Sequence, residues 1–201
     1  MENSINADAF EPNPDAIECI IDPIKCFEKH RQFFPKQYVG SRFLLIPFAL
    51  SNIDEPTTMD FYATELDVGT SSLHKPCDNE FGAILGSYKN INVPVYSLKH
   101  FFDIFPFDRF EYIDYIKIDA QGSDLDILKG AGDYLKDKVV FITAEPEYKY
   151  YINTEHNTTE NIEQYLISQN FIRVFHKNTS DPTFLNMKYQ HLADSIIISQ
   201  I

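Results

Sequence analysis

Three carboxylates close apolar runs in this chain. Glu11 ends the run that begins at Ala7, Asp119 ends the one from Tyr112, and Glu145 ends the one from Val139. In open α/β sheets the ligand lies at the carboxyl ends of the strands. Acidic residues also end strands simply because loops are polar. Three of them in one orientation make a ligand crevice the better reading. Glu11 has a specific chemistry: a carboxylate closing a second parallel strand accepts both hydroxyl protons of a ribose. Spacing alone leaves open whether that ribose belongs to a nicotinamide cofactor or to S-adenosylmethionine.

The elements that position these groups can be read from the pattern. Ala7–Phe10 is a short strand, and Asn13 caps a helix with Pro14 at its first position. Ile17, Ile20, Ile21, Ile24 and Phe27 give that helix its apolar stripe, with Pro23 dividing it. Arg42–Leu50 reads as one buried strand with a proline near its end. Met59–Ala63 alternates, Gly69–Ser72 is loop, and Val93–Tyr96 is a strand leading into a helix at Leu98–Phe105. Tyr112–Asp119 is a strand and Ser123–Lys129 a helix, with Ser123 as N-cap and Asp126 in its first turn. Val139–Glu145 is a strand, Thr158–Asn170 a helix, and Phe171–Phe175 and Ala193–Ser199 are the last two strands, paired antiparallel at one edge. Strands alternating with helices predict an α/β fold whose sheet is largely parallel and covered on both faces.

The bulk properties narrow the partners. A chain of 201 residues with 44% hydrophobic and 23% charged residues fits one globular domain over residues 1–201. The net charge of −13 repels phosphate backbones and anionic lipid, which argues against nucleic acid and membrane as partners. No apolar run reaches the ~20 residues of a membrane span, and the start MENSINAD is unlike a signal peptide. A reducing, cytoplasmic compartment is expected, with Cys19, Cys26 and Cys77 as free thiols and the sequons at Asn157 and Asn178 as chance matches. The histidines show no metal-ligand spacing; His74, beside the serine loop, is a candidate base but reads rather as a solvated loop residue.

Five motifs occur together: FEPNP at 10–14, ALS at 49–51, VPVYSL at 93–98, KIDAQGSD at 117–124 and LKGA at 128–131. In order and spacing they resemble the FkbM-type methyltransferases, over about Ala7 to Ser199. Asp124 departs from the pattern, which more often has glutamate there; the charge is kept, and little effect is expected. The resemblance implies a class I, Rossmann-like methyltransferase fold with an antiparallel last strand. It also implies S-adenosylmethionine as cofactor and a hydroxyl on a sugar or secondary metabolite as methyl acceptor. By the same resemblance Glu11 holds the cofactor ribose, and Ala49, Leu50 and Ser51 flank its adenine. Asp119 faces the methionine moiety or the acceptor, and Ser71, Ser72 and Gln121 line the acceptor side.

Methyl transfer to an alcohol needs alignment of oxygen, methyl and sulfur, and removal of the hydroxyl proton. Alignment alone supplies up to ~7–11 kcal/mol in well-oriented systems. An ordinary Asp, pKa ~3.9, is a weak base, so Asp119 needs burial or a neighbouring carboxylate, and Glu145 is the expected neighbour. The two carboxylates could instead hold Mg²⁺, a weaker alternative with only two hard ligands in view.

The family's fold begins with a strand and a glycine-rich loop ahead of FEPNP. Only MENSIN and Ala7-Asp8 precede that motif here, so the first strand, its loop and its helix are expected to be absent and the sequence to be part of a longer protein. The expected consequence is open sheet edges that invite self-association. Two other readings stand beside the methyltransferase: a non-catalytic remnant or binding module, and a nicotinamide-dependent oxidoreductase.

Overall fold

The computed structural model describes residues 7–21, 40, 43–174 and 180–193. Strand β1 (Ala7–Phe10) pairs in parallel with β2 (Phe43–Ile46), Ala7 opposite Phe43 and Phe10 opposite Ile46. Helix α1 (Pro14–Ile21) follows β1. Asn13 caps it as expected: its Oδ1 accepts the Asp15 N–H at 3.0 Å and its carbonyl accepts the Ile17 N–H at 2.9 Å. Pro23, Ile24, Cys26 and Phe27 lie outside the described residues, and so does Arg42.

The stretch expected to be one strand up to Leu50 is two. Pro47 has no N–H to continue a ladder, and the next amide, Phe48, turns back to the Ile46 carbonyl at 2.9 Å. The chain then enters a different sheet as β3 (Ala49–Leu50), parallel to the end of β5 (Tyr88–Tyr96). Strand β4 (Thr57–Thr64) runs antiparallel to β5 over its full length, Thr57 opposite Val95 and Thr64 opposite Tyr88. Both are longer than their apolar segments suggested, because cross-strand pairing carries polar positions such as Asp60 and Asn92. Phe61, Ala63, Val93, Val95 and Ala49 form the small core beneath this sheet.

After the short α2 (Glu80–Ala83) and α3 (Leu98–Ile104), the third sheet has the order β6-β7-β9-β8: β6 (Ile113–Ile118), β7 (Val139–Ala144), β9 (Thr183–Asn186) and β8 (Phe171–Val174). The β6–β7 pair is parallel; β9 is antiparallel to both β7 and β8. Among the described residues the antiparallel partner of Phe171–Val174 is Thr183–Asn186, which is followed by a 3-10 turn at Met187–Leu192; the expected strand Ala193–Ser199 lies outside the described residues except for Ala193. Asn186 anchors β9 by donating to the carbonyls of Val139, at 2.9 Å, and Lys136, at 3.0 Å. That role suits a polar residue at the end of a buried strand.

The fold is thus a mixed α/β arrangement. Among the described residues the strands fall into three hydrogen-bonded groups rather than one continuous sheet. β7 is buried along its whole length because it has strands on both sides and side chains packed on both faces. Among the described residues β6 is an edge strand, and Asp114, Tyr115 and Lys117 are exposed along it. The main core packs α4 (Asp124–Lys129), α5 (Tyr134–Lys138) and α6 (Thr159–Ser168) against β7 through Leu128, Leu135, Ile142, Ile162, Leu166 and Phe184. Among the described residues no helix is long and apolar enough to cross a membrane.

Candidate active site

The β6–β7 register decides what meets at the site. Ile118 lies opposite Ala144, so Asp119 and Glu145 leave adjacent parallel strands side by side. Glu145 N–H donates to the Ile118 carbonyl at 3.1 Å, fixing the level. Asp119 stays open to solvent, yet partial desolvation by its surroundings first, and the Glu145 charge second, raise it above the ordinary carboxylate value; Lys117 and the Gln121 hydrogen bond act the other way. The pair expected from strand ends is therefore an interacting pair.

Lys117 opens the KIDAQGSD motif, but the sequence assigns it no role, although it shares a strand face with Asp119 two residues on. Its Nζ donates to Glu145 at 3.0 Å and to Asp181 at 3.3 Å. Burial lowers the ammonium, but the Glu145 hydrogen bond with the Asp119, Glu145 and Asp181 charges outweighs it and leaves Lys117 raised.

Gln121 stands at the turn after β6. Ser123 N–H reaches the Ala120 carbonyl at 3.3 Å, with Gln121 at φ 50° and Gly122 at φ 100°. A left-handed glutamine is strained by ~1–2 kcal/mol. Ser72 Oγ holds its carbonyl at 2.7 Å, and its side-chain Nε2 donates to Asp119 Oδ1 at 2.7 Å. Gly122 must lack a side chain, since a Cβ would lie 2.6 Å from Thr154 Cγ2.

The helix after this turn is not capped as expected. Ser123 occupies the N-cap place without a side-chain cap bond, and its Oγ is buried with no partner among the described residues. Asn157, distant in sequence, does the capping: its Oδ1 accepts the Leu125 N–H at 2.9 Å. Asp124 is fully buried, accepts the Glu145 N–H at 3.0 Å, and is pushed up to about 6, mainly by burial. Asp124, where aspartate in place of glutamate was expected to have little effect, is thus the residue that ties α4 to the end of β7.

The 67–72 segment joins the two sides of the site. Asn13 Nδ2 donates to Ser71 Oγ at 2.9 Å, while Ser71 donates to the Val68 carbonyl at 2.8 Å and accepts the Thr64 N–H at 3.1 Å. Ser72 Oγ, besides its bond to Gln121, accepts the His74 N–H at 2.9 Å. Both serine hydroxyls are therefore committed within the protein, and direct contact with an acceptor would require exchanging one of those bonds.

On the far side, Glu11 Oε1 accepts the Asn13 N–H at 2.8 Å, and its other oxygen has no partner among the described residues. Burial raises this carboxyl, with the Asn13 bond opposing. Ala49 and Leu50 are buried in β3. Ser51 N–H donates to the Tyr96 carbonyl at 2.9 Å, and a Cβ at Gly130 would stand 2.4 Å from the Ser51 carbonyl oxygen. Glycine in LKGA is thus required by close approach to ALS.

His74 is half-buried rather than solvated. Burial lowers it most, and Asp126 opposes that; His156, which bonds Asp126 Oδ2 at 3.1 Å, adds to the lowering. Among the described residues no group of three or more His, Cys, Asp or Glu side chains is arranged to hold a metal ion. An open cavity of about 450 Å³ is lined by Pro76, Cys77, Asn79, Gly82 and Tyr88 among others, and none of the site carboxylates lines it.

A family model described as the methyltransferase FkbM domain matches residues 7–173, which span every residue of this site except Asp181. The chain belongs to the FkbM methyltransferase domain family. No curated protein and no solved structure matches it. Within the FkbM domain, Glu11, Asp119, Glu145 and the 67–72 segment all fall inside the matched range.

Proposed function

We propose that this FkbM domain transfers a methyl group from S-adenosylmethionine to a hydroxyl of a small-molecule or glycan acceptor. The observation that carries the reading is the Asp119–Glu145 pair at the carboxyl ends of adjacent parallel strands, with Asp119 raised by partial desolvation and by its neighbour. A raised carboxylate is a better acceptor for a hydroxyl proton. Asp119 orients the acceptor hydroxyl and takes its proton, while Glu145 and Lys117 set its charge.

The residues on the other side suit the cofactor. Among the described residues Glu11 has one oxygen held by Asn13 and the other without a partner, the arrangement a ribose diol needs. Ala49, Leu50 and Ser51 offer the adenine an apolar wall ending in a polar edge. The bound cofactor would supply an electrophilic methyl on a sulfonium. Ser71 and Ser72 form the wall between the two sides and, with Gln121, the acceptor's boundary.

The test is Asp119→Asn, with methyl transfer scored over a panel of hydroxylated acceptors and cofactor affinity measured by calorimetry. We expect at least ~100-fold loss of turnover with affinity unchanged. Near-normal turnover would refute the role of Asp119. A second reading, a non-catalytic binding module, is favoured by the internal commitment of Ser71 and Ser72. Absence of cofactor binding by the parent protein would select it.

A further inference from the structure

Tyr151 is one of the largest fully buried side chains of the described fold, yet its hydroxyl ends two bonds from Asp119. The segment around it is fastened to residues 75–77: Cys77 N–H donates to the Tyr150 carbonyl and Ile152 N–H to the Lys75 carbonyl, both at 2.8 Å. Thr154 Oγ1 donates to the Tyr151 carbonyl at 2.9 Å. The ring therefore enters from a loop fastened by backbone hydrogen bonds on both sides of Tyr151. Its hydroxyl lies 2.6 Å from the Thr70 carbonyl and 3.1 Å from Gln121 Oε1.

The proton inventory makes this contact directional. An ionised Asp119 only accepts, so Gln121 must turn its Nε2 toward Oδ1, and its Oε1 is then left facing the phenol. The phenol carries one hydrogen, which the Thr70 and Gln121 oxygens share. Burial raises the phenol, so it keeps that hydrogen at any ordinary pH. Were the amide reversed, its oxygen would face the carboxylate, a repulsive contact. We propose that Tyr151 is a positioning residue for the Asp119 carboxylate, acting through the Gln121 amide, whose donating orientation it holds in place by donating to Oε1. Its bearing on catalysis rests on the reading of Asp119 given above.

This places three differently supported groups in one line. Thr70 belongs to the segment that also carries Ser71 and Ser72, so the phenol reads the position of that segment as well. The Thr70 carbonyl and the Gln121 amide compete for one hydrogen, so a shift of the 67–72 segment toward or away from the ring changes how firmly the amide is held. Asp119 is also faced by Lys117 on its own strand, by Glu145 from β7, and by Asp124 from α4. Those charges stay in place when Tyr151 is changed.

The test reads Asp119 directly, by carbon-detected NMR titration of its carboxyl in the full chain, without cofactor or acceptor. Tyr151→Phe should raise the Asp119 midpoint by about half a pH unit, because the anion keeps a donor that is no longer oriented. Gln121→Gly deletes the amide while tolerating the left-handed turn, and should raise it by about one unit. In the Gln121→Gly background, Tyr151→Phe should add nothing. A role confined to packing would lower thermal stability in Tyr151→Phe without moving the Asp119 midpoint. That result, or equal shifts with and without Gln121, would overturn the proposal. A coupled shift in a protein that transfers no methyl group would leave the proposal standing and refute the reading of the activity instead.

Discussion

Asp124→Asn isolates the buried carboxyl that holds the end of β7. Asp124 moves from an ordinary 3.8 to about 6 on folding, mainly because burial disfavours its charge. A displacement of about two pH units is worth about 3 kcal/mol. Because the folded value is the higher one, the protonated group stabilises the fold. That contribution is complete below the unfolded value and is lost as pH rises through the folded value. Between about pH 5 and about pH 8 the parent protein should lose on the order of 1 kcal/mol through this residue alone. Asparagine carries no charge to bury, and its oxygen can still accept the Glu145 N–H. Its amide meets Asn157 Nδ2, which already donates to the Glu147 carbonyl at 3.1 Å, so the weak 3.4 Å contact to Asn157 is forfeited. The net expectation is a variant about level with the parent at pH 5 and more stable by about 1–2 kcal/mol at pH 8. Urea denaturation at the two pH values, with the slope checked for constancy, measures this. Parallel stability curves for parent and variant would refute the account, since they would mean Asp124 does not bury its charge.

Gly122→Ala should cost about 2–4 kcal/mol, combining left-handed strain with the Thr154 clash, and Thr154→Ser should restore only the part due to the lost Cγ2; chemical denaturation of the single and double variants separates the two. Gly130→Ala should force β3 and α4 apart at the Ser51 carbonyl, lowering cofactor affinity in calorimetry more than Ala131→Gly, which removes a buried methyl but introduces no clash. Leu128→Ala, at the centre of the main core, should destabilise by about 2–5 kcal/mol without altering the Asp119 titration; a shift in that titration would mean the site and core are not independent.

Much of the site could be read from residue order. Asp119 and Glu145 each close an apolar run, and the parallel register then seats them together, so their pairing was foreseeable. Asn13 was legible as a cap because capping is local. Its second role, reaching Ser71 across 58 positions, was not. Ser123 shows the opposite failure: its local cap signal is sound, but Asn157 arrives from elsewhere and takes the bond. Thr183–Asn186 was missed because a four-residue strand carries little periodicity of its own, and its partners β7 and β8 make it a strand. His74 looked solvated because a single loop residue says nothing about what folds over it.

By itself the order of residues determined the alternation of strands and helices, the cap at Asn13 and the turn glycine at 122, because each depends on local backbone geometry or a periodic apolar face; the need for glycine at 130 comes instead from the tertiary approach of the Ser51 carbonyl. It also set the carboxylates at strand ends and the motifs that mark the FkbM domain. Only the tertiary structure decided how those carboxylates behave. The raised Asp119, the buried Asp124 and the line from Tyr151 through Gln121 come from burial and from neighbours tens of residues away, and desolvation and charge act through space rather than along the chain.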